Sequence, residues 1–241
     1  MCDRAEASPK AQRRRRKSGV SNALARSLAD ELGAHVPRLK GNLVTHEKKI
    51  AGGLRTANAD VSESHSLDGL RLAVELKPIN LAVGRAIWNR FGDIRTFAVN
   101  IHLKFPFAVV GGVLVIPTYE ETGTEAAQEA ERAEAAAAAE GEESLIEPGG
   151  QEEEKGAVKE TPRAPRKSTV HLIERAIERL IRAGGRKSEA ESAHLLEGIA
   201  VVAYNPDTAL LDPDLPRPGS GLRWDEFLKA LATAYRARFE D

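Results

Sequence analysis

A single cysteine, Cys2, is present in the 241-residue chain, and aromatic residues make up only 5% of it. One thiol cannot form an internal disulfide, and it excludes a zinc site built from several cysteines. No apolar run approaches the roughly 20 residues that a membrane-spanning helix needs. The arginines near the N-terminus are not followed by the hydrophobic stretch of a signal peptide. The chain is therefore expected to be soluble and cytoplasmic, with no membrane partner.

The net charge of −1 conceals an uneven distribution along the chain. Residues 120–154 contain thirteen glutamates and one basic residue, Arg132, which gives this stretch a net charge of −12. The rest of the chain therefore carries +11. A folded part with such an excess of positive charge suits a polyanionic partner.

Alternating residue types predict a β-strand over residues 70–77. Its apolar face consists of Leu70, Leu72, Val74 and Leu76. Its second face consists of Arg71, Ala73, Glu75 and Lys77. The pair Asp68-Gly69 precedes this strand and favours a two-residue type I′ turn, because both central residues of that turn need positive φ. A β-hairpin with its turn at Asp68-Gly69 is therefore predicted.

This turn sets the register of the predicted hairpin and gathers polar residues at its open end. Asp60 then lies directly opposite Lys77, and Ser62 lies directly opposite Glu75. Asp60, Glu75 and Lys77 converge on one face, above an aliphatic underside. Mg²⁺ prefers oxygen ligands and binds through one or two carboxylates together with water and substrate phosphate. The pattern predicts a metal site, with a solvent-facing ion pair as the alternative.

The pattern resembles the PD-(D/E)xK nuclease superfamily, which includes type II restriction endonucleases and several repair and recombination nucleases. The resemblance rests on Asp60, the hairpin and Glu75-Leu76-Lys77, and it extends to about Pro117. One departure is that Ala59 stands where the family often has proline. The resemblance implies an α/β fold with a central mixed β-sheet flanked by helices. It also implies Asp60 and Glu75 as ligands of Mg²⁺, with Lys77 as a third catalytic residue.

The resemblance leads us to expect a magnesium-dependent DNA endonuclease, most similar to a type II restriction endonuclease. The alternatives are a structure-specific repair or recombination nuclease and a non-catalytic DNA-binding protein of the same fold. Double-stranded DNA is the expected partner, and a homodimer is left open. In the family a glutamate on the preceding helix often contacts the metal site, which makes Glu47 an accessory candidate. Arg85, Asn89 and Arg90 are candidates for DNA contact, with a solvated helix face as the alternative.

The remaining elements follow from periodicity and from turn residues. The predicted helices cover Ser21 or Asn22 to Leu32, residues 81–102 with a break considered near Gly92, residues 169–183, and about Trp224 to Phe239. Residues 43–54 are predicted to be helical or irregular. Continuous apolar runs predict buried strands at Phe107–Ile116 and Gly198–Tyr204.

Four regions are predicted along the chain. They are a basic disordered tail (residues 1–19), a first part of the nuclease core (20–119), a disordered acidic low-complexity insertion (120–168) and a second part of the core (169–241). The insertion is rich in glutamate and alanine and lacks apolar periodicity. We favour a tolerated surface insertion over an acidic mimic of DNA.

Overall fold

The central β-sheet has four strands in the order β3-β4-β5-β8 in a computed structural model that describes residues 9–80, 82–121 and 166–240. The described strands are β1 (Lys48–Ala51), β2 (Thr56–Ala59), β3 (Val61–His65), β4 (Gly69–Pro78), β5 (Val109–Pro117), β6 (Tyr119–Glu121), β7 (Arg166–Ser168) and β8 (Gly198–Tyr204). The described α-helices are α1 (Pro9–His35), α2 (Val83–His102), α3 (Val170–Leu180) and α4 (Trp224–Phe239). Short 3₁₀ turns lie at Pro37–Leu39 and Ile181–Ala183.

The sheet is mixed, as predicted. β3 is antiparallel to β4, whereas β4, β5 and β8 are parallel. Every residue of β5 is buried, which confirms the prediction from its apolar run. β8 follows the acidic stretch in sequence and β5 precedes it, yet the two strands are neighbours in one sheet.

Helices cover both faces of this sheet. Helices α2 and α3 pack on one face through an apolar cluster that includes Ile94 and Ile173. Helices α1 and α4 pack on the other face through a second cluster that includes Leu28 and Phe227. Full burial of one such aliphatic or aromatic side chain contributes roughly 1.5–3 kcal/mol. The predicted fold class, a central mixed sheet flanked by helices, is therefore confirmed.

A buried ionic cluster joins the ends of β5 and β8 that lie far from Pro78 and Pro117. The carboxylate of Glu197 lies 3.0 Å from Arg186 and 2.8 Å from Arg238, and it accepts a hydrogen bond from Val110 N at 2.7 Å. His102 Nε2 lies 3.4 Å from its second oxygen. Burial alone would raise the pKa of Glu197, but these neighbours hold that pKa below its usual value.

The residues that flank positions 122–165 pair in a two-stranded ladder. β6 and β7 are antiparallel, with Glu121 paired to Arg166. Arg166 also forms an ion pair with Asp207 at 2.6 Å. Residues 120–121 and 166–168, which we predicted to be disordered, thus lie in strands. The rest of the predicted insertion, residues 122–165, lies outside the described residues.

Helix α1 begins earlier than predicted. It starts at Pro9 and ends at His35, rather than running from Ser21 or Asn22 to Leu32. Proline is tolerated in the first helical turn, and the following arginine, lysine and alanine residues favour helix. Residues 9–19, which we predicted to belong to a disordered tail, thus lie in α1, and residues 1–8 lie outside the described residues.

The other helices agree with the predictions, whereas one segment differs. Helix α2 is continuous through Gly92, and α4 has the predicted bounds. Residues 43–54, predicted to be helical or irregular, contain β1, which pairs with β2 in a separate hairpin. None of the described helices combines the length and apolar character needed to cross a membrane.

Candidate active site

The turn of the β3–β4 hairpin has three residues rather than the predicted two. Residues 66–68 form the turn, and Gly69 opens β4 opposite His65 with φ of 73°. Glycine suits this left-handed conformation because it has no Cβ. Farther along the ladder Ser62 pairs with Ala73, so the predicted pairing of Ser62 with Glu75 is wrong.

A β-bulge changes the register inside the same hairpin. The pairing shifts between Glu63 and Ser64, which leaves Arg71 as the extra residue of β4. Arg71 is 5% exposed, and its guanidinium lies over the Phe239 ring at 5.1 Å, on the side of α4. Leu70 turns to the opposite face and joins the cluster beneath α2. The predicted alternation therefore fails at residues 70 and 71 and holds from residue 72.

Asp60 directly precedes β3 and is anchored to β4. Its backbone N–H donates to Val74 O at 3.0 Å, and its Oδ2 accepts a hydrogen bond from Leu76 N at 2.6 Å. Asp60 therefore does not pair with Lys77 as predicted. It is still brought beside the residues of β4 that the sequence associates with it.

Glu75 and Lys77 occupy one face of β4, as the alternation predicts. Lys77 Nζ lies 2.5 Å from Glu75 Oε1. Both residues line a cavity of about 430 Å³ together with Asp60 and Glu47. Helix α2 forms the facing wall, which consists of Asp93, Thr96, Phe97 and Asn100. The three predicted catalytic residues thus share one cavity, although the predicted register differs from the observed one.

The two candidate metal ligands are costly to ionise in this environment. Burial raises the pKa of Asp60, while the Leu76 N–H and the charge of Lys77 act in the opposite direction. Burial likewise raises the pKa of Glu75, against the effect of Lys77, and the charges of Asp60 and Asp93 add to the increase. Further positive charge nearby, in addition to that of Lys77, would favour the ionised form of both carboxyl groups.

Glu75 Oε2 supplies a second indication of a cation site. This oxygen is buried, and it has no hydrogen-bond partner within the described parts of the chain. Burying a carboxylate oxygen without a hydrogen-bond donor costs free energy in the folded state. A metal ion is one of the partners that can satisfy such an oxygen. The residues present therefore fit a hard cation that takes oxygen ligands.

Two carboxylates of the cavity, those of Asp60 and Glu75, are the candidate metal ligands. Over the described residues, no group of three or more histidine, cysteine, aspartate or glutamate side chains is arranged to hold a metal ion. Mg²⁺ commonly keeps several waters and takes only one or two carboxylates. Asp60 and Glu75 match that requirement.

Glu47 lies in the loop before β1 rather than on a helix, so the predicted setting is wrong. It nevertheless lines the cavity. Its Oε1 accepts a hydrogen bond from the side chain of Asn58, and its charge contributes to raising the pKa of Asp60. The β1–β2 hairpin therefore brings a third carboxylate toward the site.

Arg85, Asn89 and Arg90 are exposed on the first half of α2, and they do not line the cavity. Helical spacing relates Arg85 and Asn89 to Asp93, which follows Arg85 by eight residues and Asn89 by four. Arg90 forms an ion pair with Asp93 at 2.9 Å. These residues therefore lie on the helix that forms the facing wall of the cavity, nearer its N-terminus than the lining residues.

Several lining residues were not predicted from the sequence, among them Arg55, Asn58, Asp93, Thr96 and Asn100. The α2 residues recur at helical spacing from position 93 to position 100, which is the signal that assigns them to one face. That spacing alone does not reveal which face meets the hairpin. Arg55 and Asn58 were missed because the β1–β2 hairpin, whose first strand lies within residues 43–54, was not predicted.

Comparisons of the chain with models of protein families, with curated proteins and with solved structures found no match.

Proposed function

We propose that the chain is a magnesium-dependent DNA endonuclease that hydrolyses phosphodiester bonds, similar to type II restriction endonucleases. The observation that supports this proposal best is the shared cavity of Asp60, Glu75 and Lys77, in which Glu75 Oε2 is buried and has no donor among the described residues. The proposal includes a restriction-endonuclease-like version of the mixed sheet and a cytoplasmic location.

Asp60 and Glu75 would hold the cation in this proposal. Bound Mg²⁺ supplies charge that polarises a phosphodiester and lowers the pKa of coordinated water. The hydrogen bond from Leu76 N fixes the Asp60 carboxylate against β4. Glu75 is fixed by its place in the central sheet and by Lys77. Both carboxylates are thus oriented before any ligand arrives, which reduces the reorganisation that binding requires.

Lys77 would act on the substrate side of the cavity. Its Nζ donates one hydrogen bond to Glu75 Oε1, which holds the ammonium group inside the cavity. An ammonium has three donors, so two remain for a phosphate oxygen or an attacking water. The positive charge also offsets the charge that develops on the phosphorus oxygens in the transition state.

Double-stranded DNA is the proposed substrate. The positive excess outside the acidic stretch favours binding to a polyanion. Arg85 and Asn89 are exposed on α2, the helix that forms the facing wall of the cavity, and a nucleic-acid backbone that passes the site along this helix would meet them. A homodimer would place two such sites on the two strands of a duplex.

The test is cleavage of supercoiled plasmid by the full chain, with Mg²⁺ or with EDTA. Wild-type protein should cut only with Mg²⁺, and Glu75→Ala and Lys77→Ala should each reduce the rate about a hundredfold or more. Lys229→Ala is a matched control, because Lys229 pairs with Asp225 on α4 at the opposite face of the sheet. All variants should keep the same far-UV circular dichroism.

Three outcomes separate the candidates. Discrete fragments indicate a restriction endonuclease, and cutting confined to branched or damaged DNA indicates a repair nuclease. Binding without cleavage in any divalent cation indicates a DNA-binding protein and would refute the enzyme. Wild-type rates in both Glu75→Ala and Lys77→Ala would refute the assigned site.

A further inference from the structure

The turn between β1 and β2 is attached to helix α2 by one buried residue, Asn100. Asn100 is 1% exposed, and its Oδ1 accepts hydrogen bonds from Leu54 N at 2.8 Å and Arg55 N at 3.0 Å. Its Nδ2 donates to Arg55 O at 2.8 Å. Gly53 N adds a bond to the backbone carbonyl of Asn100 at 2.8 Å. Four hydrogen bonds therefore fix the backbone of a surface turn.

The close approach of this turn to α2 depends on glycine. A Cβ on Gly52 would lie 2.3 Å from Asn100 Nδ2, and a Cβ on Gly53 would lie 2.6 Å from the Leu103 side chain. Either contact is far inside van der Waals distance, so only residues without a side chain fit. Because surface loops are usually mobile, such anchoring indicates that the position of this turn matters.

Arg55 is the charged residue that the anchored turn carries to the cavity. It lines the same cavity as Glu75 and Lys77, and it is exposed. Its backbone N–H and C=O both bond to Asn100, whereas its guanidinium has no hydrogen bond or ion pair to the residues that the structure describes. The main chain is therefore fixed while the guanidinium stays available to a ligand.

The charges of the cavity determine which ligand this guanidinium takes. Four carboxylates line it, from Glu47, Asp60, Glu75 and Asp93, against two basic side chains. A phosphate approaching such a wall is repelled unless cationic groups meet it first. Lys77 is bonded to Glu75, which leaves Arg55 as the basic lining residue without a carboxylate partner among the described residues. Arginine presents a planar fork of donors that matches phosphate oxygens.

We propose that Arg55 binds a backbone phosphate of the DNA next to the scissile one, and that Asn100 is a positioning residue that holds Arg55 in place. This inference rests on the proposed nuclease function. It adds a phosphate-binding residue from outside the β3–β4 hairpin and gives the β1–β2 hairpin a role in holding substrate.

The test measures binding of a fluorescein-labelled duplex by anisotropy at several KCl concentrations, with Ca²⁺ in place of Mg²⁺. Arg55→Ala should weaken binding about tenfold or more, because a hydrogen-bonded charge is lost. It should also reduce the slope of log K against log salt by about 0.9. Arg55→Lys should keep the slope and recover part of the affinity. Leu54→Ala, on the same turn, and Arg175→Ala, an exposed charge on α3, should change neither quantity by as much.

Asn100→Ala tests the positioning role through plasmid cleavage with Mg²⁺. It should raise KM about as much as Arg55→Ala does, and the double variant should be no worse than Arg55→Ala alone. Thermal unfolding of each variant shows that it is folded at the assay temperature. Additive losses in the double variant would refute the positioning role of Asn100.

The failure of this inference differs from the failure of the proposed function. If the wild type cleaves DNA and Arg55→Ala matches Arg175→Ala in affinity and salt slope, Arg55 does not bind phosphate and the nuclease assignment stands. If the wild type neither binds nor cleaves DNA, both proposals fall together.

Discussion

Magnesium should raise the melting temperature of the wild-type chain and leave that of Glu75→Gln nearly unchanged. The substitution keeps the shape of the side chain and removes the charge that would hold the cation. It also removes a buried carboxylate whose pKa is raised by burial, so a charge that is costly to ionise is lost from the folded state. In EDTA, Glu75→Gln should therefore be at least as stable as the wild type.

The size of the magnesium effect follows from mass action. At a metal concentration 100 times the dissociation constant, binding to the folded state alone adds about 2.7 kcal/mol. A chain of this length gains about 2–4 °C in Tm per kcal/mol, so the wild type should gain about 5–11 °C. If Glu75→Gln weakens affinity about a hundredfold, the same concentration adds about 0.4 kcal/mol, or about 1–2 °C.

Circular dichroism melts in EDTA and in excess Mg²⁺ provide the measurement, and they require no catalytic activity. Asp68→Asn is the matched control, because Asp68 belongs to the same hairpin but its carboxylate bonds to Arg71 at the turn. Asp68→Asn should melt lower than the wild type in EDTA and still gain the full magnesium shift. Equal shifts in the wild type and Glu75→Gln would refute Glu75 as a metal ligand.

Three further predictions concern other parts of the chain. Asp60→Asn should abolish plasmid cleavage and Asp68→Asn should preserve it, because Asp60 lines the cavity and Asp68 does not. The reverse result would contradict the assignment of Asp60 to the active site. Replacing residues 122–165 by Asn-Gly should leave cooperative urea unfolding intact, and loss of cooperativity would show that the segment is structural. DNA binding should stay as tight or become tighter, because the replacement removes twelve glutamates and four basic residues, a net charge of −8. Glu197→Ala should cost about 3–5 kcal/mol in urea unfolding, because it leaves Arg186 buried and uncompensated. The pKa of Glu197 is lowered in the fold, so its contribution to stability is present above its unfolded pKa and is lost as pH falls through the folded value. The urea midpoint of the wild type should therefore fall more steeply with acid than that of Glu197→Gln. Equal acid sensitivity in the two proteins would contradict this reasoning.

The elements whose pattern is local were predictable from the sequence. The apolar run that became β5 and the run that became β8 both form buried strands of the central sheet. Helix α4 has the bounds expected from its periodicity. In each case one face or both faces of a single element are buried, so the spacing of apolar residues carries the information.

The register of the β3–β4 hairpin was not predictable, because distant contacts determine it. The bulge turns Arg71 toward Phe239, and Glu63 accepts a hydrogen bond from Tyr235 at 3.2 Å on the same side. Both aromatic partners lie on α4, more than 160 residues away in sequence. The spacing of residues within the hairpin gives no information about these contacts with α4.

The site was nevertheless predictable in outline, for a geometric reason. The residue numbers of each predicted pair sum to 137, as for Asp60 and Lys77. The numbers of the observed pair, Ser62 and Ala73, sum to 135, so the register error near the site is two residues. Side chains alternate between the faces of a strand with a period of two, so a shift of two keeps every residue on its face. An error of one residue would have separated Asp60 from Glu75.

The β6–β7 ladder has a consequence for how the sheet closes. The chain must return from Pro117, at the end of β5, to Gly198, at the start of β8, and 80 residues lie between them. Pairing of Glu121 with Arg166 brings together the two ends of the segment that holds 44 of those residues. The entropy of loop closure grows only with the logarithm of length, about 0.6 kcal/mol for each doubling. The acidic stretch can therefore lengthen or shorten severalfold at the ladder without altering the path by which β8 reaches β5.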